Sequence, residues 1–260
     1  MALALDSRLL LAALALAMRL ATMLALLPIM DRRSVPLLWR LAVAVPLAWA
    51  LAPAVLHEMP PTVDMLRWEL LVLEGLNSLL VGAVLGFAVS LVVNAVRFAG
   101  AIIGMQVGFA IVNAYDPHTG SQISIIAQFY FLLATLLFFA LDIHLVMVRV
   151  LVASFQVLPP FAACDTTFGA LEIVRAHGRI FSLGLQVAAP VALLLLLVSA
   201  TMGVIVKTAP QIHVLVVGFP VKIAVGLMAI GSSLVFFRSI VERAFVESSD
   251  LVLRIVEGMG

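Results

Sequence analysis

Six polar or ionisable side chains interrupt the apolar stretches of this sequence, and their types could support chemistry. They are Arg19, Arg97, Gln106, Asp142, His144 and Lys222. A charge at the centre of a bilayer costs at least about 2.5–3.5 kcal/mol on insertion scales, so such a residue normally faces a partner, a cavity or an interface. We therefore expect these six side chains to be buried polar sites in the folded protein.

Among the ionisable residues inside the apolar blocks, Asp142 and His144 form the one carboxylate–imidazole cluster. Residues two apart point to different faces of a helix, so the pair is not a ready-made dyad. His144 and Arg149 are five apart and near enough to share a side. A proton relay is one interpretation, because histidine titrates near neutrality. The interpretation we favour is a buried polar pair that fixes the register of a helix.

The four cations differ in how easily they reach water. Arg97, Arg149 and Lys222 either snorkel to lipid head groups or pair inside the protein, and the sequence leaves both alternatives open. Arg19 lies near the centre of its apolar segment, where snorkelling is harder. We expect Arg19 to pair with a carboxylate or a helix C-terminus, in this chain or on another subunit.

Catalytic signatures are absent from the sequence. It contains no His-Glu-x-x-His, no Gly-x-Ser-x-Gly and no P-loop. His57-Glu58 lacks the second histidine of a zinc-binding motif. Ser121 and Ser124 have no basic residue at a spacing typical of a catalytic serine and its base. Cys164 is the single cysteine, which rules out an internal disulfide and a cysteine-built metal site. We predict no enzyme activity, no cofactor and no metal.

The elements that position these residues must be membrane helices. The chain has 260 residues, of which 64% are hydrophobic and 11% charged, whereas a soluble domain is about 45–50% apolar and about 25% charged. The net charge of +1 gives no strong attraction to nucleic acid. We predict an all-α, polytopic integral membrane protein with about six apolar helical segments. Residues 1–260 form one membrane-embedded domain, with an amphipathic tail at 241–260.

Two apolar blocks are too long for one crossing. Glu69 to Val112 would measure about 66 Å as one helix, and Ile123 to Leu158 about 54 Å, against a hydrocarbon core of about 30 Å. Such a block either breaks, for the first at a glycine such as Gly75, Gly82 or Gly86, or projects beyond the bilayer into an assembly. Phe161 to Arg179 is predicted to be the longest polar loop. Prolines predict kinks in other segments, for example at Pro190.

Gly100, Gly104 and Gly108 are spaced four apart and form one bare stripe on a helix. Such a stripe lets another helix approach closely, so we predict that it is a helix-packing surface. Asp116-Pro117 ends the helical pattern, because proline cannot continue a helix. An ordinary tight membrane hairpin is one interpretation of this stretch. The other is a constriction or plug loop held against partner helices.

Motifs spread over nearly the whole chain carry a family resemblance. They are Arg19, Arg33-Ser-Val-Pro36, Ala99-Gly-x-x-Ile-Gly-x-Gln106-x-Gly108, Asp116-Pro117, Leu132-Leu133 with Leu136-Leu137-Phe138, His144-Leu145, Ser154-Phe155-x-x-Leu158-Pro159, and Ala209-Pro-Gln211 with Val217-Gly-Phe-Pro220. The chain resembles the FliR family of export-gate components of bacterial flagellar type III secretion, with these motifs in order and at matching separations.

The resemblance implies a helical subunit, present in one copy, in the bacterial inner membrane at the flagellar basal body. FliP-like and FliQ-like gate subunits would join it in a closed cone that passes unfolded flagellar substrates, with FlhB-like and FlhA-like export components beside it. It also implies a plug at about 108–121. The gate residues would be Phe109, Ile111, Val112, Tyr115, Asp116 and Pro117.

Two departures from the family pattern affect these implications. Two plug positions that are typically phenylalanine in relatives are Ile111 and Ala114 here, and Asp142-Ile143-His144 replaces Asn-Gly-His. The plug would therefore be sealed by different side chains, and no role of that asparagine is carried over. A virulence injectisome subunit and a solute or proton-coupled transporter are the alternatives. A transporter would show an inverted repeat, and none is visible.

Overall fold

The computed structural model describes residues 7–28, 35–59, 68–108, 124–162, 166–209 and 214–259, without the side chains of 166–171, 214 and 215. Seven α-helices and one short 3-10 turn, at Leu56–Glu58, make up its regular structure, and these described ranges contain no strand. The helices are α1 (Ser7–Leu26), α2 (Leu37–Val55), α3 (Trp68–Val107), α4 (Ile125–Ala140), α5 (Ile143–Val157), α6 (Thr166–Thr208) and α7 (Val214–Met259).

Five of these helices, α1, α2, α3, α6 and α7, are long and apolar enough to cross a membrane. The count rises to six if the bent pair of α4 and α5 forms one crossing. Backbone polar groups have no water to bond with in the hydrocarbon core, which is why the crossing segments are helical. The prediction of an all-α, polytopic membrane protein is confirmed.

The two overlong blocks resolve in opposite ways. α3 runs for 40 residues, about 60 Å at 1.5 Å per residue. Of the two alternatives for this block, a break at a glycine such as Gly75, Gly82 or Gly86 does not occur. The second block does break: α4 and α5 meet at Leu141–Asp142 with a bend of 63°. Asp142 adopts a left-handed conformation there, with φ of 54°, which aspartate tolerates better than most residues.

The prediction of a long polar loop at Phe161 to Arg179 is wrong. α6 begins at Thr166 and continues to Thr208 as one helix of 43 residues. Its polar residues lie on the helix surface, where Arg175 and Glu172 pair across one turn at 2.6 Å. Polar composition misled the prediction, since a helix with its polar face in water needs no apolar run. Pro190 lies inside this helix without ending it.

The C-terminal tail is the last part of α7, which extends for 46 residues. Phe245, Val252 and Val256 are fully buried along one side of it. The six charged residues of the tail are exposed; they are Glu242, Arg243, Glu247, Asp250, Arg254 and Glu257. The tail is therefore amphipathic, as its residue pattern predicts.

The chain divides into two compact units. The first comprises Met1–Leu91, Asp142–His177 and Phe245–Gly260, and the second comprises Val92–Leu141 and Gly178–Ala244. In the first unit, α2 packs on α1, and three alanines spaced four apart on α2, Ala44, Ala48 and Ala52, are fully buried. In the second, Tyr130 of α4 stacks edge to face on Phe237 of α7, with ring centroids 5.5 Å apart.

Candidate functional site

Arg19 is completely buried in the first unit. Its Nη1 donates to the Ser154 hydroxyl at 2.8 Å, and its Nη2 donates to the Leu158 carbonyl at 3.3 Å. Both acceptors lie at the C-terminal end of α5, where unpaired carbonyls and the helix dipole favour a cation. The guanidinium carbon also sits 3.5 Å from the centre of the Phe155 ring.

Glu74 of α3 supplies the opposite charge. Its Oε1 lies 3.7 Å from Arg19 Nη2 and accepts from the Ser78 hydroxyl at 2.8 Å. Its Oε2 accepts the backbone N–H of Phe161 at 2.8 Å. Phe161 has a positive φ of 67°, which is uncommon for a bulky residue. One carboxylate thus neutralises Arg19 and holds a strained turn.

We name this set the Arg19 cluster: Arg19, Glu74, Ser78, Ser154 and Phe161. An isolated ion in an apolar interior is very costly, and a buried pair is tolerated only when further hydrogen bonds satisfy both partners. The cluster supplies hydrogen bonds to both Nη atoms of Arg19 and to both carboxylate oxygens of Glu74, and it joins α1, α3 and α5. Such an arrangement fixes helix register; its carboxylate and guanidinium are engaged with each other and with the backbone.

The predicted glycine stripe lies at the C-terminal end of α3 in the second unit. A Cβ at Gly100 would stand 2.7 Å from the Cα of Ala127, and one at Gly104 would overlap the Ser124 hydroxyl. Ser124 is the N-cap of α4, and its hydroxyl accepts from the Ala127 N–H at 3.5 Å. The stripe therefore receives the first turn of α4, at distances that only glycine permits.

Gly108 ends this stripe in a different way. Its φ is +102°, and a Cβ there would meet the Phe219 ring at 2.9 Å. A left-handed glycine immediately after the last helical residue is a common helix C-terminus. The chain thus leaves α3 just after Val107, where the sequence places the start of the plug. The plug residues Phe109, Ile111, Val112, Tyr115, Asp116 and Pro117 lie outside the described residues.

The other predicted polar sites are more exposed than Arg19. Arg97, Gln106, His144 and Lys222 are half-buried. The guanidinium of Arg97 lies 4.2 Å from the Phe131 ring centre, a cation–π contact that partly offsets its burial. Arg149 is exposed.

The expectation that Asp142 is a buried carboxylate is wrong, because Asp142 is exposed. The helix that the apolar block predicted is broken at this residue, so Asp142 caps α5 from a turn. Its backbone carbonyl accepts the N–H of Leu145 at 2.9 Å. A buried Asp142–His144 pair that sets helix register therefore does not form.

Sequence reasoning missed Glu74 and a second glycine contact. A Cβ at Gly82 would overlap the Arg19 carbonyl, and one at Gly86 would stand 2.5 Å from the Met23 carbonyl. These glycines receive α1; they are not break points. The four-residue spacing of Gly82 and Gly86 was the available signal, since it matches the spacing of the predicted stripe. Glu74, a carboxylate inside an apolar block, was the signal for the partner of Arg19.

No group of three or more histidine, cysteine, aspartate or glutamate side chains suited to a metal ion occurs within the described residues. What the described part of the chain provides is close helix packing and a buried ion pair between Arg19 and Glu74.

The sequence model of the family described as bacterial export proteins, family 1, matches residues 10–248. The chain belongs to this family.

Three curated relatives are each named flagellar biosynthetic protein FliR. The protein of Pectobacterium carotovorum subsp. carotovorum is 32% identical over 238 residues, covering 92% of this chain and 90% of the relative. That of Escherichia coli (strain K12) is 30% identical over 239 residues, with the same two coverages. That of Bacillus subtilis (strain 168) is 31% identical over 216 residues, covering 81% of each chain. The predicted assignment to the flagellar export apparatus is confirmed.

Proposed function

We propose that this export protein is the gate subunit that closes the flagellar export pore in the bacterial inner membrane, at the basal body. One membrane-embedded domain spanning residues 1–260 would assemble with FliP-like and FliQ-like subunits and adjoin FlhB-like and FlhA-like components. Unfolded flagellar proteins would pass through the assembly. The subunit acts by packing and movement, without catalysis or a cofactor.

The observation that carries the gate proposal is the end of α3. A stripe of glycines holds this helix against α4, and the helix stops at a left-handed Gly108 under the Phe219 ring. The segment that follows is the predicted plug. A glycine at its base lets the segment swing without steric penalty, and apolar residues such as Phe109 and Ile111 would close a pore by excluding water.

The requirement for partner subunits has separate support. Only 11% of the most apolar window of α6 is buried within the chain. Large side chains such as Phe181, Leu193 and Leu197 are more than half exposed. A surface of this size needs an apolar cover, which is lipid or neighbouring subunits.

The transporter alternative receives no support from the buried charges. Arg19 and Glu74 pair with each other, whereas transport sites place such groups at a discontinuous helix facing a cavity. The relatives reported above carry flagellar names, which favours the flagellar apparatus over a virulence injectisome.

Deleting residues 111–120 tests the plug directly. We expect the deletion to raise the ion permeability of the assembled gate, because the apolar seal is removed while Gly108 and α4 remain. Single-channel conductance in planar bilayers and growth inhibition on expression are the measurements. The matched control replaces the same ten residues with a Gly/Ser segment of equal length, which should leak similarly. Unchanged conductance in both variants would contradict the plug proposal.

A further inference from the structure

A groove of about 310 Å³ lies in the second unit, between the last turns of α6 and the first turns of α7. The lining comes from both helices: Ser199, Met202, Gly203 and Val206 of α6, and Gly218, Phe219 and Lys222 of α7. Its volume falls at the lower end of the range for small-molecule sites, about 300–1,000 Å³. Of its lining residues, Phe219 alone enters the gate proposal, through its contact with Gly108.

Two glycines create the groove. Gly203 is exposed, and a Cβ built on it would meet no atom within 4 Å. Gly218 is buried beneath the same cleft. Met202, Val206 and Phe219 supply apolar walls, and the Ser199 hydroxyl beside them donates to the Leu195 carbonyl of its own helix. A cleft with such walls offers dispersion contacts to a hydrocarbon chain and few hydrogen-bonding groups to a polar molecule.

Lys222 is the one charged residue of the groove lining. It is half-buried and makes no hydrogen bond or ion pair to another described residue. It lies eight residues after the start of α7 at Val214, about 12 Å along the helix. A cation at this depth in a helix of membrane-spanning length calls for a nearby anion or a path to the head-group layer.

We propose that this groove binds one anionic phospholipid, with an acyl chain against Met202, Val206 and Phe219 and the phosphate on Lys222 Nζ. Charge complementarity and the apolar walls argue for this occupant together. A free phosphate would meet a single cation, because the Ser199 hydroxyl in the lining already donates to the Leu195 carbonyl at 2.7 Å. A polar peptide would leave its backbone groups unsatisfied there.

The occupant would share a side chain with the end of α3. The Phe219 ring that forms one wall of the groove also covers Gly108. A bound acyl chain therefore restricts the ring that lies on the base of the predicted plug. Lipid binding itself does not depend on the plug, so the two proposals fail separately.

The first test compares two lysines of the same helical hairpin. Lys222→Gln removes the cation of the groove, whereas Lys207→Gln removes an exposed cation in the last turn of α6 that does not line it. The full chain, with whatever subunits it co-purifies, is delipidated in detergent and titrated with dioleoylphosphatidylglycerol. Native mass spectrometry counts the bound lipid. We expect about fivefold weaker retention for Lys222→Gln and little change for Lys207→Gln.

The second test fills the groove without changing charge. Gly203→Leu should displace the acyl chain and lower phosphatidylglycerol retention by a similar factor. Gly231→Leu is the matched control, because Gly231 of α7 is equally open to a Cβ but lies outside the groove. A Cβ at either position meets no atom of the chain within 4 Å, and thermal unfolding of both variants verifies that each is folded before lipid retention is compared.

Four results would overturn the proposal. The first is equal loss of lipid in Lys222→Gln and Lys207→Gln, which indicates general attraction to a basic hairpin. The second is equal retention of dioleoylphosphatidylcholine, and the third is competition by inorganic phosphate alone. The fourth is a Gly203→Leu variant that keeps its lipid but loses its partner subunits, which would assign the groove to a protein segment.

Discussion

α3 and α6 are nearly equal in length, at 40 and 43 residues, and both are strongly apolar. In the most apolar window of α3, 67% of the residues are buried within the chain, against 11% in α6. Glycine placement parallels this difference. A Cβ built on Gly82, Gly86, Gly100 or Gly104 of α3 would run into another part of the chain, whereas one built on Gly178 or Gly203 of α6 would meet no atom within 4 Å.

The difference teaches that hydropathy alone does not tell what covers a helix. α3 makes close contacts inside this chain. Its glycines lie against α1 and the start of α4, and Glu74 binds Arg19 of α1 and the Phe161 N–H that follows α5. α6 presents its apolar side chains outward over most of its length, apart from contacts such as that of Gly184 with Phe98. Within the gate proposal, that outward face is the one that partner subunits would cover.

The largest expected effect comes from removing the charge that α3 contributes. Glu74→Leu leaves the Arg19 guanidinium buried without its carboxylate and frees the Phe161 N–H. Breaking a buried pair in this way costs about 3–5 kcal/mol. We expect loss of folded protein, measured by detergent-solubilised yield and thermal unfolding. Arg175→Ala, which removes an exposed pair, should cost at most about 1 kcal/mol. Equal yields of the two variants would contradict a structural role for the Arg19 cluster.

The next effect is steric. Gly82→Leu forces a side chain into the Arg19 carbonyl of α1, and such overpacking costs about 1–3 kcal/mol or more. Gly203→Leu makes the same substitution on α6 in open space. We expect a lower unfolding temperature only for Gly82→Leu. If the two variants have the same unfolding temperature, the glycines of α3 are no more closely packed than those of α6.

A smaller effect on stability, with a larger effect on assembly, is expected at Gly104. Gly104→Leu displaces Ser124 from the start of α4, and loss of a helix N-cap costs about 1 kcal/mol. Because the stripe lies beside the predicted plug, we expect reduced co-purification with FliP-like and FliQ-like subunits. Gly231→Leu serves as the control. If Gly104→Leu co-purifies normally with these subunits, the glycine stripe is not needed for assembly.

The smallest effect on the stability of the chain is expected on the bare face of α6, which is the exposed apolar surface that includes Phe181, Leu193 and Leu197. Leu197, 65% exposed, is a surface position within the chain, where substitutions change stability by about 0.5 kcal/mol or less. Leu197→Gln should therefore leave chain stability unchanged but weaken partner co-purification. Leu195→Gln, at a fully buried neighbour, should lower both. A Leu197→Gln variant that assembles normally would assign this face to lipid.

Sequence reasoning reached the parts of the fold that local pattern encodes. Apolar length predicts membrane helices, four-residue spacing predicts the Gly100–Gly104 contact, and the cost of a buried charge predicts that Arg19 has a partner. It did not identify Glu74 or the C-terminus of α5 as that partner, because the register between distant helices leaves no local trace. It also mistook the start of α6 for a loop and placed Asp142 inside a helix. Composition does not set the conformation at either place. The polar residues at the start of α6 are on the surface of a helix, and Asp142 lies at a helix end.

Labelling of the bare α6 face tests the central claim most directly. A Leu197→Cys variant in a Cys164→Ser background is treated with a membrane-permeant maleimide, alone and after co-expression with FliP-like and FliQ-like subunits. We predict rapid labelling of the chain alone and at least about tenfold slower labelling in the assembly, because partner helices would cover this face. Equal labelling rates, from a monodisperse chain that is stable without partners, would contradict the account.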